Sequence, residues 1–319
     1  MSMTKKKGGI VIALGGNAIS KPGLRGGIQE QFYSTIESME HVAELYINGY
    51  DRILITHGNG PQIGAAILRS ELASKAVYPL PMDVCGADTQ GGMGYMIQQV
   101  LGNCLRKNGV KLPVVATVTQ VLVDAHDPAF DNPTKPVGLF YTEAEAKELM
   151  AGRGWTMVDD AGRGWRRVVP SPKPIRALEA EAIKTMFERG FIVIAGGGGG
   201  IPVALNRHNL HYGVEAVIDK DLTSALLANE IGASTLLIMT GVEYAYAGFG
   251  TPNQRPLTNV TASELMTHLD AGEFADGSMR PKIEACLSFL ENGGQEAIIT
   301  SISRSLAALR GRTGTHVKP

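Results

Sequence analysis

The stretch Ile10-Val11-Ile12-Ala13-Leu14-Gly15-Gly16-Asn17 decides the fold class, because five apolar residues in a row run straight into two glycines. A short apolar run bounded by turn residues reads as a strand buried on both faces. The period then changes. Ile28, Phe32, Ile36, Met39, Ala43 and Tyr46 step by three and four residues, which is an amphipathic helix stopping before Asn48-Gly49. Strand, glycine turn and helix make one βα unit.

The unit repeats. Arg52-Ile53-Leu54-Ile55-Thr56 opens onto His57-Gly58-Asn59-Gly60-Pro61, and a helix is expected from about Gln62, with Pro61 suited to the first turn. Further strands are expected at 113–118, 191–195, 235–240 and 297–301. Helices are expected at about 88–107, 176–189, 221–230, 262–270 and 280–291. Strands alternating with helices predict an α/β protein with a mainly parallel sheet, and 319 residues suffice for one large domain. Residues 124–174 break the rhythm with many prolines and glycines and both tryptophans, so they read as a small excursion inserted in that domain. Its Asp160–Arg167 segment reads as a hairpin with a basic edge.

Composition narrows the class of function. Thirty Lys+Arg against 31 Asp+Glu leave a formal net charge of -1, with no global field for a polyanion or an acidic membrane surface. Nucleic acid and membrane are therefore not expected partners. No apolar run approaches the roughly 20 residues of a bilayer span. The basic start MSMTKKKGG leads into a strand rather than a signal peptide, so a cytoplasmic protein is expected. Cys85, Cys104 and Cys286 are far apart and in no CxxC spacing, which fits reduced, buried thiols. His208 and His211 lack companion ligands, so no protein metal site is expected.

Four glycine-centred turns close strands: Gly15-Gly16, Gly58-Asn59-Gly60, Gly196 to Gly200, and the turn near Gly241. Ligands of open α/β sheets bind beyond the carboxyl ends of the strands, where glycine lets backbone N–H groups approach an oxyanion. Known nucleotide fingerprints are missing: there is no Gly-Lys dipeptide for a Walker A loop and no protein-kinase signature. Gly58, Gly60 and Gly64 give GxGxxxG, a poor match to a dinucleotide fold, so a nicotinamide-dependent oxidoreductase is disfavoured. No GxSxG elbow supports a hydrolase. Phosphoryl transfer needs cations and aligned donors more than covalent help. Three lysines sit in suitable turns: Lys135 between Pro133 and Pro136, Lys220 in Asp219-Lys220-Asp221, and Lys282 at the start of the last long helix. A cation there opposes the helix dipole unless an anion lies beside it.

Taken in order, ALGGNA, HGNGPQIG, VTQVLVD, NPTKPVG, DAGRGWRRVVPSPKP, GGGGIPV, GVEAVIDKDLTSALLA and GSMRPK closely resemble the carbamate kinases of the amino acid kinase family over nearly the whole chain. The resemblance implies a three-layer αβα sandwich with a mainly parallel central sheet, a protruding subdomain at 124–174, a homodimer, and Mg2+ with ATP or ADP. The reaction implied is phosphoryl transfer between ATP and carbamate, giving ADP and carbamoyl phosphate. Lys220 and Lys282 would neutralise the moving phosphoryl group, Asp221 would hold them, and Lys135 would reach the acceptor. Gly15 and Gly16 would donate backbone N–H groups and, with Asn17, contact the substrate, and Gly58, Asn59 and Gly60 would seat the acceptor. Thr240, Val242, Tyr244 and Met279 would join Gly16, Lys220 and Lys282 around the nucleotide. Two departures from the family pattern stand out: Gly241 is expected to alter the nucleotide pocket, and the polar Ala87-Asp88-Thr89-Gln90 a helix near the dimer contact. Another amino acid kinase, such as an acetylglutamate kinase, is the nearest alternative, and a nucleotide-binding paralogue without turnover is a further one.

Overall fold

The computed structural model describes residues 8–19, 27–160, 162, 164–275 and 277–319, with Asn17 described by its backbone only. Eight strands form the main sheet: β1 (Ile10–Leu14), β2 (Ile53–His57), β3 (Val114–Ala116), β4 (Ile192–Ile194), β5 (Thr235–Thr240), β6 (Asn259–Thr261), β7 (Glu296–Ser301) and β8 (Thr315–Lys318). Their spatial order is β6-β8-β7-β5-β1-β2-β4-β3. From β7 to β3 every pairing is parallel, with Ile12 opposite Leu237 on one side and Ile55 on the other. β8 runs antiparallel to β7, with β6 beside it.

Alternation along the strands divides the core into two layers, because successive side chains leave a strand on opposite faces. Val11, Ala13, Leu54, Val193, Leu236 and Ile238 pack with helices α5 (Ala180–Glu188), α6 (Lys220–Glu230), α7 (Ala262–Asp270) and α8 (Arg280–Glu291). Ile10, Ile12, Leu14, Ile53, Ile55 and Leu237 face α1 (Ile28–Ile47) and α3 (Met82–Lys107). The result is the expected αβα sandwich. The strand run that opened the sequence is wholly inside, from Ile10 at 1% to Leu14 at 0% exposure.

Residues 135–169 build a sheet of their own, in which Lys135–Tyr141 and Met157–Asp159 flank Trp165–Val169, all antiparallel. The expected hairpin is therefore present, closed by Asp160 N–H donating to Gly164 C=O at 2.9 Å; Ala161 and Arg163 of that motif lie outside the described residues. Between its strands runs α4 (Glu143–Arg153), with a Thr142–Glu145 capping box at its start. The sheet lies on α2 (Gly60–Ala73), and the contact is backbone to backbone: a Cβ on Gly64 would stand 2.7 Å from Gly138 Cα.

Some expectations are corrected. The helix expected over 176–189 starts only at Ala180; Arg176–Ala177 is a strand pairing with Gln120–Leu122, in a second sheet with Ile201–Leu205 and His211–Gly213. α3 begins at Met82 rather than 88, directly after Pro81, whose extended φ and ψ suit an N-cap. The polar stretch Ala87–Gln90 keeps Asp88 exposed, but Thr89 and Gln90 turn inward and are buried at 8% and 4% exposure. They belong to the inner wall of the site.

Candidate active site

Strands β5, β1, β2 and β4 are neighbours, and each ends in one of the four glycine turns. The turns interlock. Gly15 N–H donates to Met239 C=O at 3.1 Å, and Gly58 N–H to Leu14 C=O at 3.2 Å. In the β4 turn, Gly196, Gly198, Gly199 and Gly200 have positive φ, from 61° to 93°. A Cβ on Gly197 would lie 2.4 Å from His57 Nε2, and one on Gly198 would lie 2.3 Å from Asn59 Nδ2. Only glycine lets this loop settle on the end of β2. Asn59 is held by donating to Thr89 Oγ1 at 2.9 Å, and Gln90 donates to Gly197 C=O at 2.9 Å while accepting from Thr119 N–H at 2.8 Å. Thr119 in turn receives Gly196 N–H at 2.9 Å.

The charges gather over this rim at the start of α6. Asp219 caps the helix, its Oδ1 accepting from Asp221 N–H at 2.8 Å. Asp221 is 5% exposed and stands between two ammonium groups, Lys220 Nζ at 2.6 Å from Oδ1 and Lys282 Nζ at 2.9 Å from Oδ2. Burial alone would raise its carboxyl pKa, but Lys220 and Lys282 hold it down at about 2. Burial pushes the Lys220 ammonium down, and Asp221 offsets that only in part. The Lys220 Nζ is enclosed, yet among the described residues it meets no acceptor at hydrogen-bonding angles. Lys135 Nζ lies 2.6 Å from Asp219 Oδ2. Among the described residues, three ammonium groups thus face two carboxylates, an excess of one positive charge that favours an incoming anion.

Neutral groups hold the frame. Thr56 and Ser224 share a 2.6 Å hydrogen bond, Ser224 Oγ donates to Lys220 C=O at 2.6 Å, and Thr223 Oγ1 donates to Gly199 C=O at 2.7 Å. These bonds tie the first turn of α6 to β2 and to the β4 glycine loop. His57 is buried, and desolvation lowers its pKa to about 4, so it is neutral near pH 7 and adds no charge.

The structure brings most of the expected residues together. Gly15, Gly16, Thr240 and Lys282 line one cleft of about 490 Å³ with Gly241 and Ser301. Gly60 is the first residue of α2, and Asn17 sits by its backbone in the short turn Gly16–Ala18, its side chain lying outside the described residues. Val242, Tyr244 and Met279 do not line that cleft. The Tyr244 hydroxyl is 2.9 Å from Thr313 Oγ1, and Met279 packs on the core where α8 begins. Sequence reasoning quoted His57, Thr89, Gln90 and Thr119 within its motifs but gave none of them a supporting role, because that role depends on partners remote in sequence. Asp219 was readable only as a helix cap. No group of three or more His, Cys, Asp and Glu that could hold a metal ion occurs among the described residues.

Comparison with known proteins agrees with this architecture. The model of the amino acid kinase family matches residues 9–301. A carbamate kinase of Thermococcus kodakarensis is 50% identical over 97% of this chain and 98% of its own length, and one of Pyrococcus furiosus is 49% identical over 97% and 99%. The structure of carbamate kinase from Giardia lamblia bound to AMP-PNP superimposes with a TM-score of 0.91 at 41% identity, covering 98% of both chains. With a family model over most of its length and relatives this similar end to end, the chain belongs to the amino acid kinase family.

Proposed function

We propose that the chain is a carbamate kinase, catalysing reversible phosphoryl transfer between ATP and carbamate to give ADP and carbamoyl phosphate. The observation that carries this reading is the buried Asp221 carboxylate bridging Lys220 and Lys282 above a rim of four glycine turns. A carbamate oxygen attacks the γ-phosphorus as the bond to the ADP oxygen breaks in line. The acceptor already carries its negative charge, so no general base is required. What the transfer needs is alignment and charge neutralisation. Lys220 and Lys282 meet the moving phosphoryl group, Asp221 holds their geometry, and the backbone N–H groups of Gly15 and Gly16 complete the cradle. Gly58, Asn59 and Gly60 seat the acceptor, Lys135 approaches it from the sheet of residues 135–169, and Asn17 completes the acceptor side.

Thr240, with Val242, Tyr244 and Met279 further out, borders the nucleotide. Both Asp221 oxygens face ammonium groups and Asp219 is engaged by a backbone N–H and Lys135, so these two carboxylates are not free to hold Mg2+. Mg2+ bound with the nucleotide would supply further neutralisation of phosphate charge beside Lys220 and Lys282. Residues 124–174 act as a subdomain bearing the acceptor lysine. A cytoplasmic homodimer belongs to the same reading; the three free, buried cysteines support a reducing compartment.

The test is ATP formation from ADP, Mg2+ and carbamoyl phosphate, coupled to hexokinase, with acetyl phosphate as control donor and Lys282→Ala as control protein. Fast, lysine-dependent ATP formation from carbamoyl phosphate alone is expected. Folded protein that forms none would overturn the reading, and preference for another acyl phosphate would move the chain elsewhere in the family.

A further inference from the structure

Asp219 uses its two oxygens for different partners. Oδ1 accepts the backbone N–H of Asp221 at 2.8 Å and of Leu222 at 3.4 Å, fixing the turn that carries Lys220 and Asp221. Oδ2 accepts from Lys135 Nζ at 2.6 Å. The carboxylate is 13% exposed and the lysine 30%, so the pair is sheltered but not closed off from solvent. The two partners come from different bodies of the fold. Lys135 starts the strand Lys135–Tyr141 of the separate three-stranded sheet, whereas Asp219 caps a helix of the central sandwich.

We infer that Asp219 is the positioning residue for Lys135, joining the cation on the acceptor side to the helix turn that carries the phosphate-clamping Lys220. This rests on the carbamate kinase reading above. A lysine on a free stem samples many rotamers and must be ordered each time a substrate binds. Held on Asp219, its ammonium stands ready beside α6, with two N–H donors left for an acceptor oxyanion. The same carboxylate keeps the α6 turn formed, so the acceptor cation and the phosphate cation keep one spacing. A cap alone would not need the second oxygen. Asparagine caps a helix as well as aspartate does but cannot bind an ammonium ion with its charge.

A double-mutant cycle tests the linkage, using Asp219→Asn, which retains the cap, Lys135→Met, which retains the stem without charge, and the two combined. Each single variant is expected to raise KM for carbamoyl phosphate about tenfold while KM for ADP moves less than about twofold, and the pair to be no worse than the worse single, as for residues acting as a unit. A wild-type KM in Asp219→Asn, or effects that multiply in the double variant, would overturn the inference. A second measurement needs no turnover: the acylation rate of Lys135 by an amine-reactive ester, followed by peptide mass spectrometry on the full chain. Faster labelling in Asp219→Asn supports the tether, and equal rates refute it. A wild-type protein inactive toward carbamoyl phosphate would strike at the reaction instead, and the labelling result would still decide whether Asp219 holds Lys135.

Discussion

At the scale of residues, the centre is a carboxylate that could not stay ionised at its depth without two cations beside it. Asp221 is 5% exposed, and Lys220 and Lys282 each lie within 3 Å of one of its oxygens. Such a cluster is weak evidence of stabilisation, since desolvation cancels much of the attraction. Its value lies in holding two ammonium groups at a fixed separation for an anion. Lys282→Ala and Lys220→Ala are each expected to lower kcat by about a thousandfold or more, the scale on which phosphate-clamping cations act, with the fold intact by circular dichroism. Wild-type turnover in either variant would sink the assignment. Asp221 also makes a pH prediction. Its folded pKa, about 2, is below the unfolded value of 3.8, so its contribution is fully present above the unfolded value and is lost as pH falls through about 2. Wild type should therefore lose on the order of 2 kcal/mol between pH 4 and 2 from this group. In thermal melts, the stability gap to Asp221→Asn should narrow over that window.

At the scale of elements, the site depends on four glycine turns at strand ends, and in the β4 turn the glycines lie where a Cβ would collide with its neighbours. Gly198 combines a φ of 68° with an approach to Asn59 that leaves no space for a methyl group. Gly198→Ala is expected to cost roughly 1–3 kcal/mol of stability, from left-handed strain and the displaced neighbour. It should also break the Asn59–Thr89 bond and raise KM for carbamoyl phosphate. Calorimetry and steady-state kinetics on one preparation test both effects; a variant with the wild-type midpoint and KM would show that the loop adjusts without consequence. Helix α3 serves these turns too, because Thr89 and Gln90 spend their side chains on Asn59, Gly197 and Thr119 rather than on solvent.

At the scale of the whole molecule, the acceptor side of the site is assembled from two bodies. The sheet of residues 135–169 touches the sandwich at the Gly64–Gly138 contact, at the Lys135–Asp219 pair, and through ion pairs of Arg153 with Glu71 at 3.1 Å and Arg167 with Glu215 at 3.3 Å. The ion pairs are partly exposed, and each contributes at most about 1 kcal/mol. The glycine contact is stricter, because the atom opposing a new Cβ is backbone and cannot rotate away. Gly64→Val is expected to push the strand Lys135–Tyr141 off α2 and carry Lys135 from the acceptor. KM for carbamoyl phosphate should then rise several-fold, on the scale of a loss of substrate positioning, while KM for ADP stays unchanged. Equal changes in both constants would mean that the two bodies do not divide the substrates in this way.

The sequence by itself determined the α/β class, the parallel order of strand and helix, the four glycine turns and the three lysines. Each of these is written locally, in the spacing of apolar residues or in a residue type that a turn or an anion demands. The same local logic misplaced the start of α5, since Arg176–Ala177 is a strand only because Gln120–Leu122 lies beside it. It also missed the inner wall, because Thr89, Gln90 and Thr119 matter through partners up to 107 residues away, as Gln90 does through Gly197. Tertiary structure alone decided that the four turns are neighbours and that Asp219 receives Lys135 across 84 residues of chain, and it set the distances at which Asp221 meets Lys220 and Lys282, a role the family resemblance implied. Spacing along a chain records periodicity, whereas the meeting of charges depends on which strands pair and on which face each helix crosses.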